Sequence, residues 1–317
     1  WVKVSSSPIG KYRDTNRYPS RGWNAYHVVY QDAQRWLKEG IHDALFPMMY
    51  FQGNNFYPFA LDWKENDGKR WIIPGLGIYF LSPREQDWPL DEIVRQIHFT
   101  RQIKLNGQAY FRNRFLLDNT KGVLDELEEN FYTYPALIPP MTWSDSIPPS
   151  VPSHPSVQQI ANGKLRMSWQ ASADNSNQSV VYHLYGSDTY PVDIKQPQNL
   201  IATHLIANEY EYTAKLPWLQ KRYFAVTAAD RFGNESAPLT LNTVSDMDIP
   251  LLNKGNMLYL PEIKDAQTII IYNMTNEEIW KTGYVHKLSL VSLPNGFYTV
   301  KIFNRQGKSL FAGSIMK

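Results

Sequence analysis

The side chains best suited to chemistry are aromatics and planar amides that follow short apolar runs. Tyr50, Asn54, Asn55 and Tyr57 come after the run at 44–46, Tyr79 and Trp88 belong to and follow 75–81, and Arg112 ends 107–111. Rings of this kind stack on apolar C–H faces, and amides and guanidinium groups pair with hydroxyls, a mixture that suits a polyhydroxylated ligand. Carboxylates are sparser around these runs. Glu85 and Asp87, just past the third run, are the candidates for acid–base work, although their polar loop reads more simply as solvated surface. Asp43 sits at the start of its run and reads as structural, and Asp62 falls on a helix face open to solvent. The seven histidines show no HxxxH or HxH spacing, so no metal site is expected. No phosphate-cradling glycine loop is present, because the glycines of PGLGIYF lie within a predicted strand. No cofactor is expected.

The elements that must position these residues alternate. Apolar runs at 2–6, 44–46, 75–81 and 107–111 predict short buried strands, and helix-period segments lie between them. The segment 30–39 carries Ala33, Trp36 and Leu37 at helical spacing and stops at Gly40. Pro58 is placed to open a helix running to about Asn66, and Pro89 opens another in which Leu90, Ile93, Val94 and Ile97 form one apolar face. A last helix is expected near 123–131. Trp63 and Trp71 are expected to pack helices against the strands.

Beyond residue 133 the character changes. Seven of the ten tryptophans precede residue 144, and the stretch 133–155 holds seven prolines, which predicts a linker or a strap across a domain surface. Strands are then predicted at 164–170, 180–185, 209–213 and 222–228 around a core Trp169, and further strands at 268–272, 288–291, 297–303 and 310–315. The 317 residues are therefore divided into three expected domains, 1–145, 146–247 and 248–317. The net charge of +2 and the lack of a basic run argue against a nucleic-acid partner. No apolar stretch reaches the roughly 20 residues of a bilayer-crossing helix. There is no cysteine, which excludes disulfides and thiolate chemistry. A strand starting directly at Trp1, without Met or a signal peptide, suggests a natural N-terminus that has been removed.

Three stretches resemble known families. SSPIGKYRD, YQDAQRWLKEGIHDALFPMMYF, PGLGIYFL and GQAYF together resemble the C-terminal half of a (β/α)8 barrel of the glycosyl-hydrolase-like 10 family, with Met49 where many members carry Gln. SWQAS and YFAVTAADRFGNES resemble a fibronectin type III domain, and SLPNGFYTVKIFNRQGKSLFAGSIMK resembles the sorting-type C-terminal β-domain of Bacteroidetes secreted proteins.

These resemblances imply a multidomain α/β plus all-β chain: the last four βα units of a TIM-type barrel, a fibronectin type III-like sandwich and a C-terminal β-sandwich. They also imply a glycan as the substrate, an extracytoplasmic location and a cleft at the strand ends faced by Tyr50 and Tyr79. Hydrolysis of a glycosidic bond usually needs two carboxylates about 5 Å apart or more. The acidic cluster expected after the fourth strand of such a barrel lies outside this chain, so the chain alone is expected to be inactive. The alternative expectation is a non-catalytic scaffold that binds glycan or protein. Four βα units would leave two open strand edges, and either self-association through them or a gap filled by other parts of the chain is a further expectation.

Overall fold

Short, continuously apolar segments joined by amphipathic helices are what a parallel sheet covered on both faces requires, and the first part of the chain folds that way. The computed structural model describes residues 2–161, 164–214, 221–242, 252–254, 256–260 and 263–317. Trp1 and the expected boundary at 247/248 lie outside the described residues. The chain divides into two compact units, Trp1–Thr133 and Tyr134–Lys317.

In the first unit, strands β1 (Ser5–Ser6), β2 (Ala44–Leu45) and β3 (Trp71–Ile72) pair in parallel in that order, and β4 (Gly75–Leu76) pairs in parallel with β5 (Ala109–Tyr110). Parallel bridges Ile9 to Met48 and Met48 to Gly75 carry the pairing onward from β1 and β2 to β4. β3 and β4 are thus two parts of one line, broken at Pro74, which has no N–H to donate but accepts from the Ala109 N–H at 3.0 Å. Spatial order follows chain order throughout. The connections contain the helices α1 (Ala25–Val28), α2 (Ala33–Lys38), α3 (Tyr57–Glu65), α4 (Leu90–Gln102), α5 (Asn113–Leu117) and α6 (Val123–Glu126), the last continuing as a π-turn over Leu127–Phe131. Pro58 does stand in the first turn of α3, and Ile93 and Ile97 are buried on α4.

The structure departs from expectation at Trp71 and in the run 75–81. Trp71 lies in a strand, β3, and the charged approach Gly68-Lys69-Arg70 hides this two-residue strand in the sequence. Only Gly75–Leu76 of the run 75–81 is strand. The chain leaves the strand at Gly77, and Ile78–Leu81 forms a 3₁₀ turn.

The core of this unit gathers Leu45, Phe56, Phe59, Trp63, Ile72, Leu76 and Ile97, all fully buried. Trp63 also donates its indole N–H to the Gly10 carbonyl at 2.7 Å, tying α3 to the end of the first strand line. Asp43 accepts from the Val4 N–H at 2.8 Å, consistent with a structural role. Asp62 is not simply a solvated helix residue. It accepts from Gln34 at 2.8 Å between α2 and α3, and burial raises its pKa, with the Gln34 hydrogen bond opposing.

The second unit is antiparallel. Strands β6 (Ser153–Ala161), β7 (Lys164–Gln170), β8 (Val181–Ser187), β9 (Leu200–Leu205), β10 (Glu209–Thr213), β11 (Tyr223–Ala229) and β12 (Leu239–Thr240) form sheets ordered β10-β7-β6 and β12-β11-β8-β9. Their alternate residues Leu165, Met167, Trp169, Leu184, Phe224 and Val226 fill the space between the two sheets. Strands β13 (Leu252–Lys254), β14 (Met257–Tyr259), β15 (Thr268–Tyr272), β16 (Glu278–Gly283), β17 (Lys287–Ser289), β18 (Phe297–Phe303) and β19 (Ser309–Met316) form a second pair of sheets, β13-β14-β17 and β16-β15-β18-β19. Tyr185 and Tyr223 leave the first sandwich on its outer face and join the core of the second. The proline-rich segment is a strap within this unit. Met141 donates to the Phe232 carbonyl at 2.8 Å, Asn234 donates to the Asp145 carbonyl at 3.0 Å, and Ser150 donates to the Ala173 carbonyl at 2.8 Å.

Candidate functional site

A parallel sheet places the loops after its strands on one side, which is where ligands of such sheets bind. In the first unit a cleft of about 680 Å³ opens on that side. Its walls come from three loops: Ile9 and Trp23 after the first strand line, Met48, Tyr50, Phe51, Gln52 and Asn55 after the second, and Tyr79, Phe80, Gln86 and Trp88 after the third. The lining combines aromatic rings with three amides and carries no formally charged side chain.

Tyr50 is braced from three sides. Its ring stacks on Phe111 (centroids 5.2 Å, interplanar 16°) and meets Tyr79 edge-on at 5.7 Å. Beneath it run Gly75 and Gly77, where a Cβ would come within 3.2 and 3.1 Å of the Tyr50 ring and Cβ respectively. Neither glycine has positive φ, so their use here is close approach. Burial raises the Tyr50 pKa, followed by the effect of Tyr79. Burial likewise raises that of Tyr79, with Glu85 adding to it and Arg112 opposing. Both hydroxyls therefore stay protonated at neutral pH and can donate or accept. Phe80 continues the wall onto Trp88 at 4.7 Å.

Lys11 anchors the opposite wall. It is 5% exposed, lies 4.6 Å from the Phe51 ring centre, and gives its ammonium protons to the Ser20 carbonyl (2.7 Å), the Arg21 carbonyl (3.2 Å) and Asn55 Oδ1 (3.1 Å). Burial holds its pKa below the usual lysine value.

The structure brings Tyr50, Asn55, Tyr79 and Trp88 of the sequence candidates together in this cleft. Trp88 contributes as a buried wall, 4% exposed, with its indole N–H donated to Gln86 Oε1 at 3.0 Å. Asn54 is exposed on the neighbouring 3₁₀ turn and does not line the cleft. Tyr57 also lies outside the lining. Its hydroxyl donates to Glu92 at 3.3 Å, and burial and then the Glu92 charge push its pKa up to about 12. Arg112 sits outside the lining, with its guanidinium 5.5 Å from the Phe115 ring centre. Glu85 is exposed, and Asp87 is held by Lys121 at 2.6 Å, so neither carboxylate lines the cleft. Sequence reasoning missed Trp23, Gln52 and Gln86. The available signal was the Arg21-Gly22-Trp23 turn in the loop after the first strand. Among the described residues, no group of three or more His, Cys, Asp or Glu side chains is arranged to hold a metal.

Over 252 residues, 74% of this chain, the sequence is 29% identical to the glycosyl hydrolase YngK of Bacillus subtilis (strain 168). The aligned stretch amounts to 49% of that relative, so the chain spans about half its length. No family model matches the chain. Among solved structures, the FN1–FN3 domains of chicken CNTN1 align at 14% identity over 54% of this chain and 67% of theirs, with a TM-score of 0.20. A two-domain fibronectin type III segment of chicken tenascin aligns at 13% identity over 53% of this chain and all of its own, also with a TM-score of 0.20.

Proposed function

We propose that residues 1–145 are the C-terminal half of a glycosidase-type (β/α)8 barrel of the glycosyl-hydrolase-like 10 family, and that the cleft after its strands binds a glycan. The observation that carries this reading is the cleft itself: braced tyrosines and side-chain amides, assembled from three successive strand exits of a parallel sheet. The sequence likeness to YngK supports the same class of ligand. In this reading the whole protein hydrolyses a polysaccharide or cell-wall glycan outside the cytoplasm, residues 146–247 form a fibronectin type III-like spacer, and residues 248–317 form a sorting-type β-domain.

This chain supplies the binding wall of the site, and the catalytic carboxylates come from the barrel half that it does not contain. That division separates binding from cleavage experimentally. The chain is titrated with a panel of oligosaccharides beside a Tyr50→Ala, Tyr79→Ala double variant. Binding by the native chain and loss of at least tenfold in affinity in the variant is the expected result. Equal binding by both moves recognition to the second unit and ends the cleft reading. A full-length protein that binds an oligosaccharide but never releases reducing ends from it favours the non-catalytic scaffold.

A further inference from the structure

The cleft holds one large aromatic that folding leaves uncovered. Trp23 is 66% exposed, and among the described residues no ring packs on it and no acceptor takes its indole N–H. A side chain of this size stabilises a protein when it is buried, and here the loop that carries it is held firmly in place. Asp14 Oδ1 accepts from both the N–H and the hydroxyl of Ser20 at 2.7 Å, and Asn24, 7% exposed, caps α1 through the His27 N–H at 2.8 Å. Lys11 ties the carbonyls of Ser20 and Arg21 to the Asn55 amide, so the loop bearing Trp23 and the amide across the cleft share one anchor. The backbone that leads to the exposed indole is therefore tied through Lys11 to Asn55, whose Nδ2 group remains available to a ligand.

Charge narrows the ligand. None of the lining side chains is ionisable to a formal charge at neutral pH. The Lys11 ammonium behind the wall has three protons and three protein acceptors, leaving none for an incoming carboxylate. An anionic sugar seated here would lose water without gaining a charged partner among the lining side chains, a costly exchange.

Building on the glycan-cleft reading, we infer that Trp23 and Asn55 form a stacking subsite for an uncharged sugar ring, separate from the wall of Tyr50 and Tyr79. The ring face lies on the indole, and its hydroxyls pair with the Asn55 and Gln52 amides. Uronic acids are discriminated against.

The test titrates the chain with two neutral probes, cellohexaose and chitohexaose, and one anionic probe, hexagalacturonate. It uses Trp23→Ala, Trp23→Phe and the Tyr50→Ala, Tyr79→Ala variant, with melting curves to verify folding. Because Trp23 is exposed, its loss is expected to leave the melting temperature unchanged. The inference expects a neutral probe to bind, Trp23→Ala to weaken it roughly tenfold, Trp23→Phe to recover most of the loss, and hexagalacturonate to bind at least tenfold more weakly. Neutral binding that survives Trp23→Ala but is lost with the two tyrosines overturns the subsite and leaves the cleft reading standing. Equal or tighter binding of hexagalacturonate overturns the charge argument. Absence of binding by any probe, or binding that survives every variant, overturns the subsite together with the cleft reading.

Discussion

Lys11 shows how much a single buried charge can organise. Its ammonium is satisfied by two carbonyls and one amide and lies over two phenylalanine rings, so its removal strands several polar groups at once. Lys11→Met is expected to cost about 1–3 kcal/mol and to lower the melting temperature of the first unit. Thermal unfolding of the variant beside the native chain measures it, and an unchanged midpoint would show that the anchor is dispensable. His183 in the second unit is 4% exposed, and its Nδ1 accepts from the His204 N–H at 3.3 Å, which requires the neutral ring. Burial lowers its pKa below the usual 6.5, with Glu235 opposing and His204 adding to the shift. The unfolded chain therefore takes up a proton at higher pH than the folded one. The stability contributed by His183 is complete above about pH 6.5 and falls as pH drops from there toward its folded value. Urea unfolding at pH 7.5 and 5.5 should show a smaller loss on acidification for His183→Gln than for the native chain. Equal losses would remove His183 as a source of acid sensitivity.

At the scale of the elements, the first strand line approaches the second closely at Gly10. A Cβ there would fall 2.4 Å from the Met48 carbonyl oxygen and 2.8 Å from the Met49 Cα, and both are backbone atoms that cannot swing aside. Gly10→Ala is expected to destabilise the first unit by about 3 kcal/mol or more, because the pairing of Ile9 with Met48 and the Trp63 bond to the Gly10 carbonyl would shift together. Gly283→Ala, at the end of edge strand β16 with open space around it, should stay within about 0.5 kcal/mol of the native chain. Circular dichroism melts of both variants test the contrast, and similar midpoints would refute it. A second close approach, between the next two strand lines, brings Tyr50 onto Gly75 and Gly77.

For the whole molecule, the half-barrel reading has a consequence for association. The two ends of the parallel array, β1 and β5, have strand neighbours on one side only among the described residues. Open parallel edges recruit other chains unless they are covered. We propose that the chain self-associates through them, and light scattering should show a mass that rises with concentration. A strictly monomeric chain that binds no hydrophobic dye would contradict this. The second unit has a different basis for integrity, because Tyr185 and Tyr223 of the first sandwich are buried in the core of the second. Its two sandwiches are expected to unfold in one transition, and two separated calorimetric peaks within this unit would count against that coupling.

What the sequence alone determined were the features controlled by neighbours along the chain. Pro58 in the first turn of α3, the spacing of Ile93 and Ile97 on α4, and the alternation along β7 and β18 are local patterns with local causes. Tyr50, Asn55, Tyr79 and Trp88 were identifiable as candidates because they follow apolar runs, and residues after parallel strands share one side of the sheet. Tertiary structure decided the rest. β3 is two residues long and the strand part of 75–81 is also only two, so no period could mark where either begins or ends. Trp88 turned inward, and Asp87 was claimed by Lys121 and Tyr57 by Glu92, the last two through partners more than 30 residues away. Trp23 looked like one more residue of a long polar loop until Lys11 drew that loop against Asn55. The position of an exposed ring is set by the contacts that hold its loop, and those contacts join parts of the chain that are distant in sequence.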